Sequence, residues 1–188
     1  MILEVTGQMA DLWALSLTGD DRSGWKAEET TDFVVTQFSE SAARFSPDGS
    51  WVAYSSNESS QDEVFVRSFP GVGGKTQISI GESDSDWPSW SEPHQELIFC
   101  SQSSRTERQI FTVKYQIDGE GFIPERPVRW EGAIATSRRT STIFDLHPDG
   151  ERVLVRSRVE PSDTEQDFDH VILFENFFAH LEKIVPTR

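Results

Sequence analysis

The sequence predicts an all-β fold built from a repeated unit of four short strands. Three stretches share one pattern, an apolar residue, a polar turn of about five residues and an apolar run. They are Phe45-Ser46-Pro47-Asp48-Gly49-Ser50-Trp51-Val52-Ala53-Tyr54, Trp90-Ser91-Glu92-Pro93-His94-Gln95-Glu96-Leu97-Ile98-Phe99 and Leu146-His147-Pro148-Asp149-Gly150-Glu151-Arg152-Val153-Leu154-Val155. A second similarity recurs in Asp11-Leu12-Trp13-Ala14-Leu15, Glu63-Val64-Phe65-Val66-Arg67, Gln109-Ile110-Phe111-Thr112-Val113 and His170-Val171-Ile172-Leu173-Phe174. The hairpins are 45 residues apart (45 to 90) and then 56 (90 to 146). Four short strands in about 45 to 55 residues is the size of a β-propeller blade. The expected architecture is therefore a partial propeller of about three to four blades with a C-terminal α-helix.

The first unit, residues 1–38, is incomplete. It starts inside its second strand near Met1 to Val5, with Leu12 to Leu17 as its third strand and Phe33 to Gln37 as a weak fourth. In the second unit, residues 39–82, Pro47-Asp48-Gly49 turns the chain. Pro presets φ, Asp caps the turn with its side chain, and Gly accepts φ > 0. Apolar runs on both sides make this a hairpin. Glu63 to Arg67 and Lys75 to Ile80 complete the unit. The third unit, residues 83–132, replaces the Pro-Asp-Gly turn by Glu92-Pro93-His94-Gln95 and ends with Gln109 to Val113 and Arg126 to Trp130. The fourth, residues 140–174, is again incomplete. Phe177, Phe178, Leu181, Ile184 and Val185 then recur at helical spacing, so a helix is expected over 175–185, stopped by Pro186. A helix of roughly ten residues is marginal alone in water. It must dock its aromatic face on the body of the protein or on a partner. The competing architecture is a β-sandwich, which regularly spaced short strands also suggest.

The run Arg44-Phe45-Ser46-Pro47-Asp48-Gly49-Ser50-Trp51-Val52-Ala53-Tyr54, followed by Ser55-Ser56-Asn57-Glu58-Ser59 and the strand Asp62 to Arg67, resembles the TolB-type, WD40-like β-propeller repeat. Phe69-Pro70-Gly71-Val72-Gly73-Gly74-Lys75 and the end Asn176 to Pro186 are similar to C-terminal propeller segments of bacterial serine/threonine kinase-like proteins. The resemblance spans about residues 10 to 186 and implies a fold and not a reaction. There is no glycine-rich loop followed by a catalytic Lys, no His-Arg-Asp and no Asp-Phe-Gly.

Acidic residues outnumber basic ones 32 to 17, which argues against general nucleic-acid binding and against an anionic membrane surface. Six Trp and thirteen Phe separate the chain from disordered compositions. Cys100 alone forms neither an intramolecular disulfide nor a multi-Cys zinc site. No apolar run approaches the roughly 20 residues of a membrane span. The start lacks a basic n-region and Glu4 interrupts it, so no signal peptide is expected and the cytoplasm is the default compartment.

Enzymatic motifs are missing. There is no G-x-S-x-G elbow and no H-E-x-x-H run, and His94, His147, His170 and His180 have no metal-ligand spacing. Cys100 follows the apolar strand Leu97 to Phe99 and is expected to be a buried, inert thiol. Glu82-Ser83-Asp84-Ser85-Asp86 offers the oxygen ligands that Ca²⁺ prefers, but it lacks the twelve-residue EF-hand pattern and a solvated acidic loop is the simpler reading. Asp163, Glu165, Asp167 and Asp169 read as a linker. Arg126, Arg129, Arg138, Arg139, Arg152, Arg156 and Arg158 concentrate basic charge in the second half.

An incomplete arc of blades exposes edges and apolar flanks. Two copies would cover them in a symmetric dimer, or the chain closes on itself or caps an end with its helix. The expected function is a non-enzymatic protein-interaction and assembly module, a homodimer without a cofactor. Its partner residues on loops around the central opening are Arg44, Asp84, Asp86, Trp87 and Trp90, and its interface residues are Phe177, Phe178 and Leu181. The alternative is a sensor that binds a small molecule or divalent cation at Asp84 and Asp86.

Overall fold

The computed structural model describes residues 2–6, 10–71, 73–81, 83–105, 107–119, 121–136 and 144–155, without the side chains of 2–6 and 132–136. The chain divides into two units, 1–158 and 159–188, and the described residues all belong to the first. The helix expected over 175–185, with Phe177, Phe178 and Leu181, lies outside them, as does the strand expected at His170 to Phe174.

The described residues are all β, in four small antiparallel sheets, none of them closed. The first sheet holds β1 (Ile2–Thr6), β2 (Ala10–Asp20) and β3 (Gly24–Val34) in that order. The second is an up-and-down run of β4 (Glu40–Phe45), β5 (Trp51–Ser56), β6 (Glu63–Ser68) and β7 (Lys75–Gln77). The third continues with β8 (Ser85–Ser91), β9 (Glu96–Gln102) and β10 (Glu107–Asp118). The other edge of β10 carries two strands end to end, β11 (Gly121–Pro124) and β12 (Val128–Thr136). The fourth sheet pairs β13 (Phe144–Leu146) with β14 (Val153–Val155).

Every residue of β5 is buried, and so are Leu97 to Cys100 of β9. Successive strand side chains point to opposite faces, so these sheets are covered on both. The buried clusters sort the faces. Leu12, Phe33 and Val34 of the first sheet pack on Val52, Tyr54 and Phe65 of the second. The other face of the second sheet (Trp51, Ala53, Val64, Val66) packs on Leu97, Phe99 and Val113 of the third. The third sheet then turns Ile98, Cys100 and Ile110 toward Phe144 of the fourth. Each core lies between consecutive sheets, unlike the single core of a two-sheet sandwich.

The turns from first to second strand are of equal length in the last three sheets. Ser46 N–H donates to Trp51 O at 2.8 Å and His147 N–H to Arg152 O at 2.8 Å, while Ser91 pairs with Glu96. Gly49 (φ 73°) and Gly150 (φ 74°) take the third loop position. The middle turn has no glycine there, and its left-handed residue moves one place on, to Gln95 (φ 50°). Asp48 and Asp149 cap their turns by accepting the amide hydrogens of Ser50 (3.1 Å) and Glu151 (2.9 Å).

The Glu151 amide, with Arg152 and His147, holds the Asp149 carboxyl down at about 2. This lies below the unfolded value of about 3.9, so the contribution is present above about pH 4 and is lost as pH falls toward 2. A carboxyl-carbon NMR titration of Asp149 should show its midpoint near that low value. A midpoint near about 4 would contradict the cap.

The first hairpin differs from the expected Leu12 to Leu17 and Phe33 to Gln37. β2 and β3 continue into a long ribbon whose residues from Ser16 to Asp32 are exposed on both faces. Solvated on both sides, it carries no one-sided apolar alternation over its full length, which is why 18–32 reads as a connection. Its tip is set by Asp20, whose Oδ1 accepts from Arg22 N–H (2.9 Å), Ser23 N–H (2.7 Å) and Ser23 Oγ (2.8 Å).

Candidate functional site

The first strands of the second and third sheets share one irregularity. The register of β4 on β5 shifts between Ser41 and Arg44, and that of β8 on β9 between Asp86 and Ser89. The residue after the last regular pair is left-handed in both, Ala42 and Trp87, each at φ 53°. Side chains cost roughly 1–2 kcal/mol in that region, so its recurrence in corresponding strands marks a built feature. A bulge of this kind bends the strand and re-aims its side chains.

In β8 the bulge places Asp86 against the second sheet. Its Oδ1 accepts Ser55 Oγ–H of β5 at 2.5 Å and Trp87 N–H at 2.7 Å, and its carbonyl accepts the Cys100 thiol at 3.3 Å. Asp84 extends the seam. Its carbonyl accepts Gln102 N–H (2.8 Å) and Arg108 Nη1 (3.2 Å), and its Oδ1 accepts Asp62 N–H (3.4 Å). Ser85 N–H donates to Asp62 O at 2.6 Å. The Arg108 guanidinium stands 5.7 Å from the Trp87 ring centre. Burial pushes the Asp86 carboxyl up from its ordinary value, opposed by the Ser55 and Trp87 hydrogen bonds. Burial, with the Asp86 charge, also pushes the Cys100 thiol up to about 12, so the sulfur stays protonated and unreactive.

The five residues singled out in the sequence form two groups. Asp84, Asp86 and Trp87 share the seam with Ser55, Cys100 and Arg108. Arg44 and Trp90 meet nearer the turn end, where the indole Nε1 donates to Arg44 O at 3.1 Å and the ring sits edge-on to Tyr115 at 5.4 Å. Trp90 is thus a packing anchor, while the Arg44 side chain is exposed. Among the described residues no group of three or more His, Cys, Asp or Glu is arranged to hold a metal ion.

Two buried carboxylates escaped sequence reasoning. Glu40 accepts Thr36 Oγ1–H (2.7 Å) and Ser56 Oγ–H (3.1 Å), and burial pushes its carboxyl up. Glu63 is held by Ser79 Oγ and by Gln61 Nε2 at 2.7 Å. Both pair across the sheet with Ser56, so all three side chains occupy one row. The only signal in the sequence was the density of Ser and Thr around them.

The Asp86 seam predicts opposite results for two substitutions. Asn keeps an oxygen for Ser55 and Trp87 without a buried charge. An acid whose folded value is raised contributes most at low pH and loses that contribution as pH rises from about 4 through the raised value. Asp86→Asn should therefore melt no lower than the parent at neutral pH. Asp86→Ala leaves the Ser55 hydroxyl and the Trp87 amide without their acceptor and should cost about 1–3 kcal/mol. A lower melting temperature for Asp86→Asn at neutral pH would mean that the charge itself is needed.

Two concave surfaces among the described residues are a cleft of about 480 Å³ between Trp51, Phe69 and Ile117, and a shallower one of about 340 Å³ between His94, Arg129 and Trp130. Comparison with protein-family models and with curated proteins finds no match to this chain.

Proposed function

We propose that the chain is a non-enzymatic interaction and assembly module. It is an arc of β-propeller blades of the TolB-type, WD40-like kind that its sequence resembles, and it self-associates to complete a ring. The observation that carries this reading is the succession of three separate cores between four consecutive sheets. The bulge repeated at Ala42 and Trp87 supports it. A stack whose repeats contact only their neighbours leaves two terminal flanks to be covered. Matched against the bulged sheets, β1 occupies the position of β5 and β9. A second copy of the chain meets that need without a foreign subunit.

The seam polar groups are engaged in tying sheets together, which favours a scaffold over a catalyst. Arg44, Asp84, Asp86, Trp87 and Trp90 remain the proposed contacts around the opening, with Arg44 the most accessible. Phe177, Phe178 and Leu181 remain the proposed interface.

Light scattering coupled to size exclusion tests the assembly. The expected mass is twice the 21.3 kDa of one chain, falling to one chain for Phe178→Asp. A single-chain mass at every concentration contradicts self-association.

A further inference from the structure

The 480 Å³ cleft opens between the second and third sheets at their turn end. Its floor is Trp51, whose ring packs tilted at 58° against Phe122, 5.4 Å between ring centres, and so belongs to the core beneath. Its walls are Phe69, Ser50, Ser68 and Asp48 on one side and Ile117 of the β10–β11 hairpin on the other. Ile117 is 45% exposed, an aliphatic wall facing open space. The floor is preformed. Gly73 N–H donates to Ser68 Oγ at 3.0 Å, and a side chain at Gly73 would collide with that hydroxyl.

The surround is acidic. The β2–β3 ribbon leaves its sheet at this same end, since the Phe33 ring lies 5.7 Å from Phe69 and touches the position of Gly71. It carries Asp20, Asp21, Glu28, Glu29 and Asp32 against Arg22 and Lys26. On the opposite hairpin Asp118 and Glu125 are balanced by Lys114 and Arg126, so the acidic side of the cleft is that of Asp48 and the ribbon. Arg67 does not neutralise the cleft. It pairs with Val52, on the face that packs toward the first sheet, and its Nη2 donates to Gly71 O at 2.9 Å. The ribbon also presents an apolar face: Leu17 lies opposite Ala27 and Gly19 opposite Trp25, which is 60% exposed.

We infer that this cleft docks an extended segment of another protein, one with an aliphatic or aromatic anchor flanked by Lys or Arg. The anchor fills the space over Trp51 against Ile117, and the flanking cations meet Asp48 and the carboxylates of the ribbon. Charge decides against a second copy here. The same ribbon of a second copy would bring five carboxylates against two cations to this rim, like charge on like. The inference is independent of ring completion.

The probe is a labelled synthetic peptide with Leu-Phe flanked on both sides by Lys, titrated by fluorescence anisotropy against the full chain. Two controls replace Leu-Phe by Gly-Ser, or Lys by Glu. The Lys-flanked apolar peptide should bind at least about tenfold more tightly than either control, and more weakly as salt rises. Ile117→Asp and Ser50→Lys, both at exposed positions, should each weaken it by about tenfold or more with unchanged melting temperature. Equal binding of the Gly-Ser control would reduce the effect to charge alone and overturn the inference. So would unchanged affinity in both variants, or loss of self-association in Ile117→Asp, which would put a second copy in the cleft.

Discussion

Ile98→Ala and Phe99→Ala should both be severely destabilising, although the two side chains point to opposite faces of β9. Ile98 is fully buried in the core shared with Phe144, and Phe99 in the core shared with Val64 and Val66. Phe99 also stacks on Phe111 with ring centres 5.6 Å apart. Truncations of this kind cost about 2–5 kcal/mol for Ile and 3–5 for Phe. Against a typical total of about 5–15 kcal/mol, either is a large fraction. In a sheet with one wet face, the outward residue of such a pair would cost well under about 1 kcal/mol. Urea unfolding of the two variants therefore reads directly whether β9 has two dry faces. One cheap substitution would refute the two-sided packing.

A second large effect is expected at Gly150. Its φ of 74° is left-handed, and an added methyl would collide with Ser91 Oγ and the His94 ring across from the third sheet. Gly49 has nearly the same φ, 73°, and nothing within 4 Å of an added methyl. Gly49→Ala should thus cost only the conformational part, about 1–2 kcal/mol. Gly150→Ala should cost distinctly more, because the turn must also move off the 92–95 loop, whose His94 Nε2 bonds with Asp149 O at 3.1 Å. The difference isolates the contact between the third and fourth sheets. Equal losses in thermal melts would mean that the contact contributes nothing.

What was legible in the sequence was periodic. Pro47-Asp48-Gly49 and Pro148-Asp149-Gly150 announce their turns because only a few residue types tolerate that backbone. Val64 to Val66 and Leu97 to Phe99 announce strands because both faces are dry, leaving unbroken apolar runs. The ribbon from Ser16 to Asp32 was illegible for the opposite reason: both its faces are wet, and its pairing is held by backbone hydrogen bonds and the Asp20 turn. The candidate site was half legible. Asp84 and Asp86 stood out as an acidic pair, but their partners Ser55, Gln102 and Arg108 are 18 to 31 residues away and reach them only through sheet packing. The left-handed Trp87 has no signature at all, since neither glycine nor asparagine marks it.

The most direct test of the central claim, that separate cores lie between consecutive sheets, is a methyl NOE map of the isotope-labelled chain. Leu97 methyls should show contacts to Val64 and Val66, Ile98 methyls to the Phe144 ring and Val153, and Leu12 methyls to Val52 and the Tyr54 ring, with no contacts crossing between these sets. If Leu97 and Ile98 instead share one set of neighbours, the sheets enclose a single core and the arc of blades is wrong.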